Sequence, residues 1–170
     1  INHYCLVGNT MNDVYKLETA PVVLHQWQNE DYAEFASMNA APNVMRYFLS
    51  LLSRKESEPL TKKLDNLIAE KCWVFGVAER KTDNTFIGLN QADYLPVASC
   101  VETGWRMVKA YWDKRYATEA EIATLYFAFP TLEQDQVATF TTVENSRSRK
   151  VVSKPGKENR NKIFPTLGFQ

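Results

Sequence analysis

Residues Cys100–Ala120, CVETGWRMVKAYWDKRYATEA, constrain the fold more than any other stretch. Val101, Thr103, Trp105 and Met107 alternate with Glu102, Gly104, Arg106 and Val108, the period of a strand with one buried face. A basic turn follows directly. Ile122, Leu125, Tyr126 and Phe129 then mark one face of a helix from about Ala117, which Pro130 should stop because proline lacks an N–H and disfavours helix before it. A strand running through a cationic turn into a helix brings free backbone N–H groups, the positive end of a helix dipole and the charges of Lys114 and Arg115 to one place. That combination suits a phosphorylated ligand.

The rest of the chain supplies the frame for this junction. VVLHQW (22–27) is β-branched and aromatic and predicts a strand, and Asn29-Glu30-Asp31 opens a helix with Tyr32, Phe35, Ala36 and Met38 on its apolar stripe, ended by Pro42-Asn43. Ser53 and Glu56 have capping-box spacing, yet Pro59 would then lie inside the helix. Ser57 is therefore expected as the cap, with Pro59 in the first turn and Leu60, Leu64, Leu67 and Ile68 buried. CWVFGVAE and TFIGLNQADY, joined by Arg80-Lys81-Thr82-Asp83-Asn84, read as an antiparallel hairpin. A last strand, QVATFTTV (136–143), leads through Asn145-Ser146 into a short helix. The order predicts an α+β (mixed α/β) fold, a mostly antiparallel sheet packed by helices.

At 170 residues the chain is expected to form one domain over 11–170, with 1–10 a possible leader or expression remnant and 154–170 an atypical tail without a sustained period. Twenty Lys+Arg against twenty Asp+Glu leave no net charge to recruit nucleic acid or an anionic membrane. Cys5, Cys72 and Cys100 are odd in number and widely spaced, which suggests neither a disulfide framework nor a zinc site and fits a cytoplasmic protein. No secretory signal or membrane-length apolar run is evident. His25 within a strand, the buried-type Cys100 and the tryptophans Trp27, Trp73, Trp105 and Trp112 are expected to be structural. Arg46-Tyr47-Phe48 could either line a pocket or pack.

Three ordered blocks resemble the GCN5-related N-acetyltransferase (GNAT) superfamily, in particular the branch that acetylates ribosomal-protein N-termini. LETAPVVLHQWQNEDYAEFASMNAAPNVMRYF resembles its opening strand and helices, ETGWRMVKAYWDKRYATEA its acetyl-CoA strand, loop and helix, and VENSRS its later Asn-x-x-Ser segment. The resemblance, from about Leu17 to Arg149, implies an acyl-CoA N-acyltransferase fold, acetyl-CoA as co-substrate without a metal, and direct transfer to a primary amine on a protein N-terminus or a small molecule. The family's loop follows Q/R-x-x-G-x-G/A, which falls here on Trp112, Asp113, Lys114, Arg115, Tyr116 and Ala117. Arg115 thus stands at the expected glycine, and Asp113 where relatives commonly have another. A Cβ and a long side chain could crowd a diphosphate, whereas a guanidinium could pair with it.

The resemblance implies that Lys114, Arg115, Tyr116, Ala117 and Thr118 hold the diphosphate, with Met107 and Val108 also on the cofactor. It further implies that the Val108 N–H polarises the thioester carbonyl, that Asn145 bonds the pantetheine arm, and that Ser148 protonates the departing sulfur. Glu102 is the best-placed base, its pKa raised if its neighbours are apolar; the alternative is a carboxylate paired with Arg106 or solvated at a sheet edge. Asn145 and Ser148 could equally be a capping pair. A relative that binds CoA without turnover remains an alternative because of Arg115 and the altered C-terminus. The latter also suggests an incomplete sheet and a homodimer completing it.

Overall fold

The fold, taken from a computed structural model, is described for residues 16–71, 76–96 and 100–153. Cys5, Cys72, Trp73, the possible leader and the 154–170 tail lie outside these residues. Among them the sheet has six strands in sequence order: β1 (Leu17–Glu18), β2 (Val22–His25), β3 (Val77–Arg80), β4 (Thr85–Leu95), β5 (Cys100–Met107) and β6 (Val137–Ala138). All neighbours are antiparallel except β5 and β6, which run parallel. The expected β3–β4 hairpin is present, closed by Arg80 donating its Nε–H to Asp83 at 2.8 Å and by a left-handed Asn84 at φ 54°.

Helices cover both faces of the sheet. Phe35 and Met38 of α1 (Asp31–Asn39) pack with Val44, Val77, Phe86 and Leu89 on one face, and α2 (Arg54–Lys71) lies against α1. On the other face, Ala120, Ala123 and Phe127 of α3 (Tyr116–Thr131) pack with Val22, Ala78, Ile87, Val101 and Met107. α4 (Ser146–Ser153) follows β6 and touches α3.

Four expectations need correction. α2 begins at Arg54 and keeps Pro59 inside it. The Ser53 N–H and hydroxyl both donate to Glu56 Oε2, at 2.8 and 2.6 Å, and the Glu56 N–H returns a bond to Ser53 Oγ, so the capping box outweighs the bond lost at proline. Ser57 is instead buried and donates to the Ser53 carbonyl. α3 runs through Pro130 to Thr131, its last turn tolerating the missing donor. Its buried side combines Ala120, Ala123 and Ala128 with Leu125 and Phe127, so of the expected apolar face Leu125 is buried while Tyr126 and Phe129 are exposed. The strand expected over 136–143 is limited to Val137–Ala138, after which the chain leaves the sheet.

Candidate functional site

Between β5 and α3 the chain makes a 3₁₀ turn over Lys109–Tyr111, pinned where the Trp112 Nε1–H donates to the Met107 carbonyl at 2.8 Å. Asp113 and Arg115 then adopt φ 59° and 68°, left-handed backbone that favours glycine. These are the two positions at which the resembled pattern has glycine, so the loop keeps that backbone without its usual residues. The Arg115 side chain is exposed and reaches along α3 to Glu119, 3.6 Å away. Asp113, equally exposed, faces Arg147 of α4 at 3.4 Å, whose guanidinium also stands over the Trp112 ring.

The first donation inside α3 is from the Glu119 N–H to the Arg115 carbonyl at 2.9 Å. Among the described residues, the N–H groups of Tyr116, Ala117 and Thr118 have no backbone acceptor, as geometry requires of a helix's first turn. Lys114 adds an exposed cation beside Tyr111. Three aligned donors at the positive end of a helix fit a diphosphate group.

The second element is a split in the sheet. β6 pairs with β5 only at Val101↔Val137 and Glu102↔Ala138, so the edge of β5 beyond this point faces a gap. The Val108 N–H donates to the Ile87 carbonyl at 2.9 Å, in line with the Gly88↔Met107 register. Even-numbered β5 residues therefore bond to β4, and backbone groups of Trp105 and Met107 face the gap. The amide expected to polarise a carbonyl, that of Val108, is thus turned the other way. The same parity turns the Trp105 N–H towards the gap, a direction set by the partner strand rather than by the local sequence.

Glu102 and Arg106 project their side chains onto the α1/α2 face of β5, and Gly104 holds the position between them on that face. Glu102 is half-buried opposite Asp93, and burial, with a smaller push from Asp93, raises its pKa above the ordinary carboxylate value. Arg106 forms no ion pair with it: its Nη1–H donates to Asn39 Oδ1, and its guanidinium stands 4.0 Å from the centroid of Phe48. Burial lowers the pKa of Arg106 to about 10. Asn39, on α1, in turn donates to Ser57 Oγ of α2 at 3.1 Å. Tyr47 donates to the Glu144 carbonyl at 3.2 Å, so the segment after α1 lies against the chain leading into α4. Arg46-Tyr47-Phe48 therefore borders the β5 side of the gap, with Phe48 45% exposed.

Asn145 Oδ1 accepts the Ser148 N–H at 3.2 Å, the capping arrangement, while the Ser148 hydroxyl forms no hydrogen bond among the described residues. On the opposite face Thr103 donates to Glu121 Oε1 at 2.9 Å, a buried pairing that holds α3 against β5. Cys100 is buried, which pushes its thiol pKa up. His25 is buried with Nε2 3.4 Å from Glu79 Oε2. The burial of Cys100 matches the small buried hydrophobe read from the sequence.

A sequence profile of the acetyltransferase (GNAT) domain matches residues 22–158, a span that includes β5, its loop, α3 and the Asn145–Ser148 segment. The chain belongs to the GNAT acetyltransferase family. Solved GNAT-type structures share its fold at low identity. A GNAT-family acetyltransferase of Bacillus anthracis superposes with TM-score 0.72 at 19% identity, over 82% of this chain and 81% of that one. RimJ of Mycobacterium smegmatis, in complex with CoA-disulfide, gives 0.65 at 17% identity over 82% and 72%. Spermidine N-acetyltransferase of Vibrio cholerae, in complex with CoA and spermine, gives 0.66 at 18% identity over 81% of each chain. The split between β5 and β6 and the start of α3 thus belong to an acetyltransferase fold whose solved examples include CoA complexes. Among the described residues no helix is long and apolar enough to cross a membrane.

Proposed function

We propose that this GNAT protein transfers the acetyl group of acetyl-CoA directly to a primary amine, on a protein N-terminus or a small molecule. The observation that carries this reading is the pair of left-handed residues, Asp113 and Arg115, that leaves the Tyr116, Ala117 and Thr118 amides open at the end of a split strand. In this reading those amides and Lys114 hold the diphosphate, and Arg115 contributes its backbone. The Trp105 and Met107 amides face the thioester, the Trp105 N–H donating to its carbonyl as negative charge develops there. Asn145, with Oδ1 committed to the cap, keeps its Nδ2–H₂ for a pantetheine carbonyl.

Glu102 lies three residues from Trp105, about 10 Å along the strand, so it accepts the amine proton through water. The amine nitrogen forms the new N–C bond as the C–S bond breaks, and the thiolate takes the proton of the Ser148 hydroxyl, which solvent restores. A raised pKa suits Glu102 to this task, because a stronger base pulls harder on the proton.

A second reading, a CoA-binding relative without turnover, is favoured by two observations: the Val108 N–H and Asn145 Oδ1 are both committed internally. Calorimetric titration with acetyl-CoA, followed by thiol release with a panel of amines and N-terminal peptides, separates the two. Binding with amine-dependent thiol release is expected. Binding without release would support the second reading, and absence of binding would overturn both.

A further inference from the structure

The α1/α2 face of β5 presents a carboxylate and a guanidinium with nothing but a glycine between them. Glu102 and Arg106 are four residues apart, about 13 Å between Cα atoms in extended chain. A Cβ placed on Gly104 would meet, within 4 Å among the described residues, only Gln91 Cγ at 3.9 Å, so the floor between the two charges is open. The Trp105 amide reaches the neighbouring gap from the middle of this floor.

Arg106 stands apart among the charged groups of the described residues. A guanidinium carries five N–H donors, yet it makes one hydrogen bond, to the neutral Asn39 amide, and its buried Nε has no acceptor among the described residues. No carboxylate pairs with it there. Phe48 on one side and the Asn39–Ser57 link on another fix the group in place. Arg106 is partly buried with its Nε fully covered, and holding such a cation without an anion is costly unless something else supplies the anion. Planar, bidentate recognition of a carboxylate is what a guanidinium so held is shaped for.

We infer that Arg106 selects acceptors that carry a carboxylate near the reacting amine, with the amine over Gly104 on the Glu102 side and the carboxylate on the Arg106 guanidinium. The inference rests on the acetyl-transfer reading and names its acceptor class. The shared chemistry has two sources: a free amino acid, or a peptide whose N-terminal amine lies close to an acidic side chain. Arg106 does not touch the breaking bond, so it acts on acceptor binding more than on turnover.

The test compares matched acceptors on the whole chain: an amino acid against its carboxamide, and a peptide with Asp at its second position against the same peptide with Asn. Thiol release should favour the carboxylate member by on the order of tenfold to a hundredfold in kcat/KM, chiefly through KM, the range of a hydrogen bond to a charged group. Whichever pair shows the larger ratio identifies the source. Arg106→Gln should bring the carboxylate acceptor down to the level of its carboxamide, and Arg106→Lys should restore part of the preference. Equal use of both members by the unaltered protein, or a preference for the neutral one, overturns the inference. The same pairs titrated into the CoA-loaded protein by tryptophan fluorescence need no turnover. Discrimination in binding without thiol release would sink the transfer reading and keep the carboxylate site, while equal binding would sink the site.

Discussion

Replacing Arg115 by glycine or by alanine separates the backbone of the loop from its side chain. Both changes remove the exposed contact with Glu119 at 3.6 Å, so that loss cancels between them. A residue with a Cβ at φ 68° costs roughly 1–2 kcal/mol, which glycine relieves and alanine does not. Glycine gives back roughly 0.5–1 kcal/mol through the greater freedom of its unfolded chain. Arg115 is also the N-cap of α3, where alanine is poorer than glycine by several tenths to about 1 kcal/mol. The balance makes Arg115→Gly more stable than Arg115→Ala by about 1 kcal/mol, or roughly 2–4 °C in Tm for a chain of this size. Thermal unfolding of the two variants side by side reads this difference. If alanine proved equal or superior, the left-handed backbone assigned to residue 115 would be wrong. A calorimetric titration adds the functional half: both variants should keep acetyl-CoA affinity within a few-fold, because the main chain does the holding. A loss beyond about tenfold in both would make the guanidinium itself the ligand.

Glu102→Gln should lower kcat/KM by about 10²–10³ and flatten the acid limb of its pH profile, a limb displaced upward in the parent because the Glu102 pKa is raised. The same shift has a stability signature: a carboxyl whose folded pKa exceeds its unfolded value helps folding below the unfolded value and loses that contribution as pH rises through the folded one. Urea unfolding should therefore find Glu102→Gln more stable than the parent at pH 7, with the gap closing towards pH 4; a gap that widens on acidification would contradict the assigned burial. Gly88→Ala, whose Cβ would stand 2.3 Å from the Arg106 carbonyl and 2.7 Å from Met107 Sδ, should cost about 1–3 kcal/mol by denaturant unfolding, and a neutral result would mean β4 and β5 pack differently there. Ser53→Ala should cost about 1 kcal/mol by removing the cap of α2, and no loss would return the start of that helix towards Ser57.

The strand-to-helix junction was legible because strand period, basic turn and helix period each leave a strong local signature, and the antiparallel β3–β4 hairpin was legible for the same reason. What escaped the sequence depended on neighbours. Pro59 argued against the Ser53 capping box, and only the three bonds between Ser53 and Glu56 show which preference won. On α3 the large apolar residues Tyr126 and Phe129 suggested one face, whereas the sheet takes Phe127 and Leu125 together with Ala120, Ala123 and Ala128. The segment 136–143 has strand composition throughout, yet β6 stops at Ala138, and that early stop opens the gap beside β5. The direction of the Val108 amide follows from its pairing with Ile87, a long-range fact that no local pattern encodes. Asn145 and Ser148 were legible as a possible capping pair, and the structure shows that cap, with Asn145 Oδ1 accepting the Ser148 N–H at the start of α4.

The open amides at the start of α3 are the part of the account on which the rest depends, and amide-resolved NMR during an acetyl-CoA titration observes them directly. The backbone resonances of Tyr116, Ala117 and Thr118 should shift and gain protection from solvent exchange as the ligand saturates, with Trp105 and Met107 shifting alongside them. Saturable binding that leaves residues 114–118 unperturbed would contradict the account.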